Sequence, residues 1–275
     1  RFIEAFTDQF VLADITIDED KHDPNEVFNR LNTEGLELGV IDIVRNNLFM
    51  GITSETDAKN FHKNKWLPFE QKLTKKFIDI NHSVKKEKTS AQIEKLTRNQ
   101  AEDFFFPYAT NLDKNIKKKH LANSLNADWK KNELKRDEII DDMEKYLEPY
   151  LTWIPPYQNT RDGYDVKKRI DQNYPDVLKE AIISLKQLRV NKDMLHFLIP
   201  ILLEVNKKGL SPKKAAQSIK LIESQFIRRA LTFHDSEKAG KGMQQKFIRL
   251  WGETKGEPQK VKDFFATTDR YIPDD

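Results

Sequence analysis

Arg30, Asn32, Gly35 and Arg45 are the residues of this sequence whose types and spacing best suit the binding of a phosphate. Gly35 follows Asn32 by three residues, where a helix would stop in a left-handed residue. A backbone turn beside a helix start directs N–H donors at an anion, and two guanidinium groups would add charge-assisted bonds. The same residues have a purely structural use: Asn32 and Gly35 end a helix, and Arg45 pairs with Asp42 or Asp18. A second basic feature is the run Lys114–His120, KNIKKKH. Its Lys117, Lys118 and Lys119 would either meet nucleic-acid phosphates or form a solvated helix face. Arg228 and Arg229, near the end of a later helix, pose the same choice between phosphate contact and ion pair.

Other chemistry is missing. Metal-assisted hydrolysis needs His, Asp, Asn or Glu converging on a divalent ion. The histidines, at 22, 62, 82, 120, 196 and 234, form neither an i, i+4 pair nor an H-N-H cluster. His196 lies in an apolar run and reads as a core histidine with its hydrogen bonds satisfied. Cysteine is absent, which removes disulfides, thiolate zinc sites and a cysteine nucleophile. Gly240, Lys241 and Gly242 lack the first glycine and the closing hydroxyl of a phosphate loop.

Helices must carry most of these groups. Asp23 and Pro24 start one whose apolar side is Val27, Phe28 and Leu31. Leu36 and Leu38 plug the turn, and a second helix begins near Gly39 with Ile41, Val44 and Leu48 inward and Asp42, Arg45 and Asn46 outward. Phe10–Asp18 alternates as a strand. Pro68 interrupts or restarts the segment bearing Phe61, Trp66, Leu67 and Phe69, and the polar stretch from Val84 reads as a loop. Ala91–Tyr108 is helical with a break at Pro107, and a helix over Leu121–Lys130 follows. Ile139–Trp153 forms a helix kinked at Pro149, and Pro156–Tyr164 forms a loop and an internal boundary. Val177–Val190 and Asp193–Val205 are the next helices, the latter apolar on nearly all sides, kinked at Pro200 and stopped by Gly209. Ser211 and Pro212 then cap and start a helix striped by Ala215, Ile219, Ile222, Phe226 and Ala230. Two helices around Phe247–Trp251 and Val261–Phe265 follow. The expected fold is mainly α and multi-helical, with a small α+β portion before about residue 57, and segments 1–57, 58–190 and 191–275.

Phe28, Leu31, Asn32, Gly35, Leu36 and Leu38, then Asp42, Arg45, Asn46, Leu48 and Phe49, resemble the F-x-x-[IL]-N-x-x-G-x-x-L … D-L-x-R-N-x-L-F signature of GmrSD-type restriction endonucleases. Gly39 departs from the Ser or Thr usual there, at little cost to a helix start. The resemblance is dense over some 35 residues; Leu121–Lys130 and Ile222–Leu231, with its double arginine, are looser echoes. It implies a ParB/sulfiredoxin-like nucleotide-hydrolysing domain, a helical middle and an HNH nuclease domain. It further implies a nucleoside triphosphate with Mg2+ as cofactor and DNA as partner, with a homo-oligomer left open. The family's Asp-Gly-Gln-Gln-Arg loop would precede Arg1 and its HNH motif would follow Tyr271, so neither reaction is expected of this chain alone. The alternative is a non-catalytic helical scaffold that docks a protein or nucleic acid.

Bulk properties agree with a globular, surface-charged protein. The 275 residues are 38% hydrophobic and 33% charged, and 47 basic against 44 acidic residues leave +3. That balance is too even to argue nucleic-acid binding from net charge, so any basic surface must be local. No apolar run approaches the roughly 18 residues of a membrane span and no signal pattern opens the chain, so a cytoplasmic location is expected.

Overall fold

The computed structural model describes residues 39–73, 90–153, 168, 170–188, 190–231 and 242–268, and for 90–100 and 229–231 the backbone alone. The Phe10–Asp18 strand, the Asp23–Pro24 helix start, the Gly35 turn, the stretch from Val84 and the Pro156–Tyr164 boundary lie outside these residues. Within them the protein is mainly helical. The helices are α1 (Val40–Phe49), α2 (Glu55–Phe61, continuing through a π turn at His62–Trp66 to 73), α3 (Ser90–Leu112), α4 (Leu121–Lys131) and α5 (Arg136–Trp153). They continue with α6 (Asp176–Gln187), α7 (Leu195–Asn206), α8 (Pro212–Leu231), α9 (Met243–Thr254) and α10 (Pro258–Thr268).

α7 is the axis of the fold. Every residue from Leu195 to Leu203 is buried, as an all-round apolar helix requires. It packs against α5, α9 and α3, while α8 lies between α6 and α10, and α1 rests on α3 and α4. One cluster of buried side chains runs from Val40 to Phe265.

Prolines are absorbed rather than obeyed. The helix expected to break at Pro107 runs on to Leu112. A proline inside a helix costs about 3 kcal/mol, whereas each fully buried Phe returns about 1.5–3 kcal/mol. Phe104, Phe105, Phe106 and Tyr108 are all buried around it, so burial outweighs the lost bond. Pro149 likewise sits inside α5, between Tyr146 and Trp153. At Pro68 the helix instead widens: the Leu67 N–H reaches back to the carbonyl of His62, giving the π turn directly before the proline.

Helix ends follow local chemistry. The Ser54 hydroxyl accepts from the Asp57 N–H at 3.3 Å, and the Ser211 hydroxyl from the Lys214 N–H at 3.3 Å, with Pro212 opening α8 as expected. The stop of α7 differs from expectation by one residue. Lys208, not Gly209, takes the left-handed conformation (φ 61°), and the Gly209 N–H bonds to the Glu204 carbonyl at 2.9 Å. With the Lys208 N–H bonded to the Val205 carbonyl at 3.0 Å, this completes a Schellman motif with a lysine in the usual glycine place.

Candidate nucleic-acid interface

The run KNIKKKH connects α3 to α4, and its shape is set by two anchors. The Asp113 carboxylate accepts from the backbone N–H and the side-chain amide of Asn115, at 2.9 and 3.0 Å, an Asx turn that halts α3. Ile116 is buried and pins the turn to the core. Lys118–His120 then forms a single 3-10 turn feeding α4. With Ile116 inward, Lys117, Lys118, Lys119 and His120 are forced outward, and all four are exposed.

Beside this turn lies an open groove of about 400 Å³ lined by Asp113, Lys117, His120, Ser124, Asp128 and Lys131, among others. Lys118 is committed to Glu102 at 2.8 Å. Among the described residues Lys117, Lys119 and Lys131 have no acidic partner. His120 supplies no side-chain cap, so the positive end of α4 adds to the charge at the groove's edge. The two carboxylates inside the groove disfavour a small anion seated deep within it. An extended polyanion riding on the lysines at the rim suits the arrangement better, because each cation then meets its own phosphate.

Lys131, Ser124 and Asp128 were not among the expected residues. The signal for Lys131 was present as the Lys130, Lys131 pair closing a helix, which reads as dipole compensation until the fold brings it to the same groove as Lys117. Arg228 is exposed on α8, and the side chain of Arg229 lies outside the described set. The 3-10 turn packs mainly on α4, and α8 on α6, α10 and α7, so the two basic features belong to different elements.

Of the four expected phosphate-turn residues, Arg30, Asn32 and Gly35 lie outside the described residues. Arg45 is described, on α1. Its guanidinium donates to Asp42 at 2.8 Å and to Glu70 at 3.3 Å, and its side chain is 39% exposed. Glu70 in turn accepts from the Trp66 indole at 2.9 Å. Two carboxylates therefore already share Arg45 and would repel a polyphosphate. The described part of this site does not by itself fit a nucleotide, and among the described residues no group of three or more acidic or histidine side chains could hold a metal ion.

His196 proves to be a structural residue. Gln244 donates to its Nε2 at 3.1 Å, its Nδ1 donates to the Thr110 hydroxyl at 2.7 Å, and that hydroxyl donates to the carbonyls of Phe106 and Pro107. This chain of partners assigns the neutral Nδ1–H form. Burial pushes its pKa down to about 3.

A second groove, of about 520 Å³, is mostly apolar and is lined by Phe49, Ala58 and Leu67 with Glu55, Lys59, His62 and Lys63. No helix among the described residues is long and apolar enough to cross a membrane. No protein-family model, no curated protein and no solved structure matches the chain.

Proposed function

We propose that this chain is the helical, DNA-engaging part of a nucleotide-dependent restriction endonuclease that acts on modified or foreign phage DNA in the cytoplasm, as the GmrSD-type resemblance implies. The observation that carries the DNA part is the groove that runs along α4 from Lys117, at its uncapped start, to Lys131, at its end, with Lys119 exposed on the adjoining turn; among the described residues none of the three has an acidic partner. In this reading the Arg30–Gly35 turn serves a nucleoside triphosphate with Mg2+, and Arg45 joins it only by leaving Asp42 and Glu70. Strand cutting falls to an HNH motif outside this chain. The test is fluorescence anisotropy of a labelled duplex with the chain and with its Lys117→Glu/Lys131→Glu variant. Loss of affinity, with the salt slope lowered by roughly 0.9 for each phosphate contact removed, supports the reading. An unchanged titration sinks it.

A second reading has one observation in its favour. The apolar groove of Phe49, Ala58 and Leu67 suits a helix of a protein partner, as expected of a non-catalytic scaffold. Ala58→Arg would block such a partner and leave DNA binding as it was.

A further inference from the structure

Two helices end at one corner of the fold, and each ends in a left-handed lysine. Lys208 follows α7 at φ 61° and Lys255 follows α9 at φ 50°, a conformation that strains a side chain and that helix ends usually give to Gly or Asn. What lysine adds there over glycine is charge, and backbone held in a sparsely populated region marks positions of function. The two turns are packed together. Gly256 lies against the Leu210 side chain, the Ser218 hydroxyl donates to the Gly256 carbonyl at 2.7 Å, and Lys214 meets Glu257 at 3.0 Å.

Charge is concentrated at this corner. Residues 204–214 and 254–260 contain Lys207, Lys208, Lys213, Lys214, Lys255 and Lys260 against Glu204 and Glu257, an excess of four positive charges where the whole chain has an excess of three. All six lysines are exposed. Lys214 is spent on Glu257, Glu253 next to the corner is spent on Arg249, and the Glu204 side chain folds over Gly209. Lys255 stands over the Trp251 ring at 5.1 Å, which positions its charge without neutralising it. Lys207, Lys208, Lys213 and Lys260 have no ion-pair partner among the described residues.

The corner adjoins the groove at Lys117. The Trp251 indole donates to Asn111 at 2.9 Å, in the last turn of α3 directly before the Asp113–Asn115 turn, while its ring carries Lys255. One tryptophan thus joins the two basic regions. A protein interface needs an apolar, aromatic-rich centre, and a stable membrane contact needs an apolar or acyl anchor beside its cations. None of the exposed large apolar residues lies on these two turns, and Trp251 is buried, so no ring is offered for stacking a single strand. Lysines are point charges without the fork of arginine, suited to sequence-independent phosphate contacts. We infer that this corner is a second phosphate-backbone contact for duplex DNA, continuing the track that begins at Lys117. The inference rests on the DNA reading above and extends its footprint to a second set of turns.

The experiment uses the whole 275-residue chain and a fluorescein-labelled duplex, with binding followed by anisotropy across a salt series. A Lys207→Gln/Lys208→Gly/Lys213→Gln/Lys260→Gln variant is compared with a Lys117→Gln/Lys131→Gln variant. The corner variant is expected to bind about 10-fold or more weakly at low salt, with a salt slope shallower by about 2 or more. Lys208→Gly alone removes a cation and relieves the left-handed strain together, so its slope should drop by about 1 with no fall in the thermal midpoint, which a folding defect would not produce. Affinity and slope kept in the corner variant but lost in the groove variant would overturn this inference and leave the DNA reading standing. No binding by the unaltered chain at low salt would overturn both. Phosphatidylserine vesicles or polyglutamate displacing the chain as well as unlabelled duplex does, at equal charge, would assign the corner to a membrane or an acidic protein and overturn the duplex contact.

Discussion

Tyr146 on α5 donates its hydroxyl to the Pro107 carbonyl on α3 across 2.9 Å, inside a core where neither group meets water. The bond ties the two helices at the position where a proline has removed one of α3's own bonds. Tyr146→Phe keeps the ring, which packs at 5.3 Å on Tyr108, and deletes only the donor. We expect a loss of about 1 kcal/mol, since Thr110 still donates to the same carbonyl. Urea unfolding with an unchanged slope and a lower midpoint would measure it.

His196 makes stability pH-dependent. Its pKa is about 3 in the folded protein against an ordinary 6.5. Between these values the unfolded chain takes up a proton that the folded one refuses, so stability is full above pH 6.5 and falls by up to about 1.4 kcal/mol per pH unit as pH drops. Asp103 and Asp193 act in the opposite sense: burial raises both, so the folded protein gains relative stability as they protonate on approach to acid. Ring signals of His196 that do not shift between pH 8 and 5, together with a fall in the urea midpoint over that range, are the expected outcome.

Gly256 follows α9 with φ 77°, and a Cβ there would lie 3.0 Å from side-chain carbons of Ile201 and Leu210. Gly256→Ala combines a left-handed strain with overpacking against the central helix. A loss of about 1–3 kcal/mol is expected, and a thermal midpoint equal to wild type would refute it.

Arg45 separates the two uses of its guanidinium. In a protein that includes the Gln-Arg loop, Arg45→Ala should weaken nucleotide binding about 10-fold if the residue meets phosphate, the worth of one charge-assisted bond. Asp42→Asn removes a competing carboxylate and should strengthen nucleotide binding in that case. If Arg45 serves only Asp42 and Glu70, both variants bind nucleotide as wild type does. The change in fold stability should then stay under about 1 kcal/mol, as for other partly exposed pairs.

The helices were legible because burial wrote itself into period. Of the expected inward residues, Leu178, Ile182 and Leu185 of α6 and Ala215, Ile219 and Ile222 of α8 are buried, whereas Leu188, just past α6, and Phe226 are only half-buried. Proline positions misled because local rules ignore what surrounds a helix: at Pro107 the aromatic cluster decides, and no window of sequence contains Tyr146. Gly209 misled by one residue because a Schellman turn needs the bonds, and Lys208 could bear the strain. The basic run was visible as charge, but the groove was not. Lys117 and Lys131 lie fourteen positions apart, and only the buried Ile116 and the length of α4 set them around one opening.

The π turn at His62–Trp66 bears on how this protein tolerates insertion and deletion. Phe61 and Trp66, both buried, are five residues apart, which in a regular α-helix is about 1.4 turns and would point them to different sides. The widened turn takes up one extra residue and restores the phase, so that Phe69 and Leu73 continue on the buried side. Removing a single exposed residue, Asn64, would give Phe61 and Trp66 the four-residue spacing that an ordinary helix needs. A chain one residue shorter should therefore keep its core in register, whereas the same deletion one turn into α5, at Asp141, would throw every later buried residue of that helix out of phase.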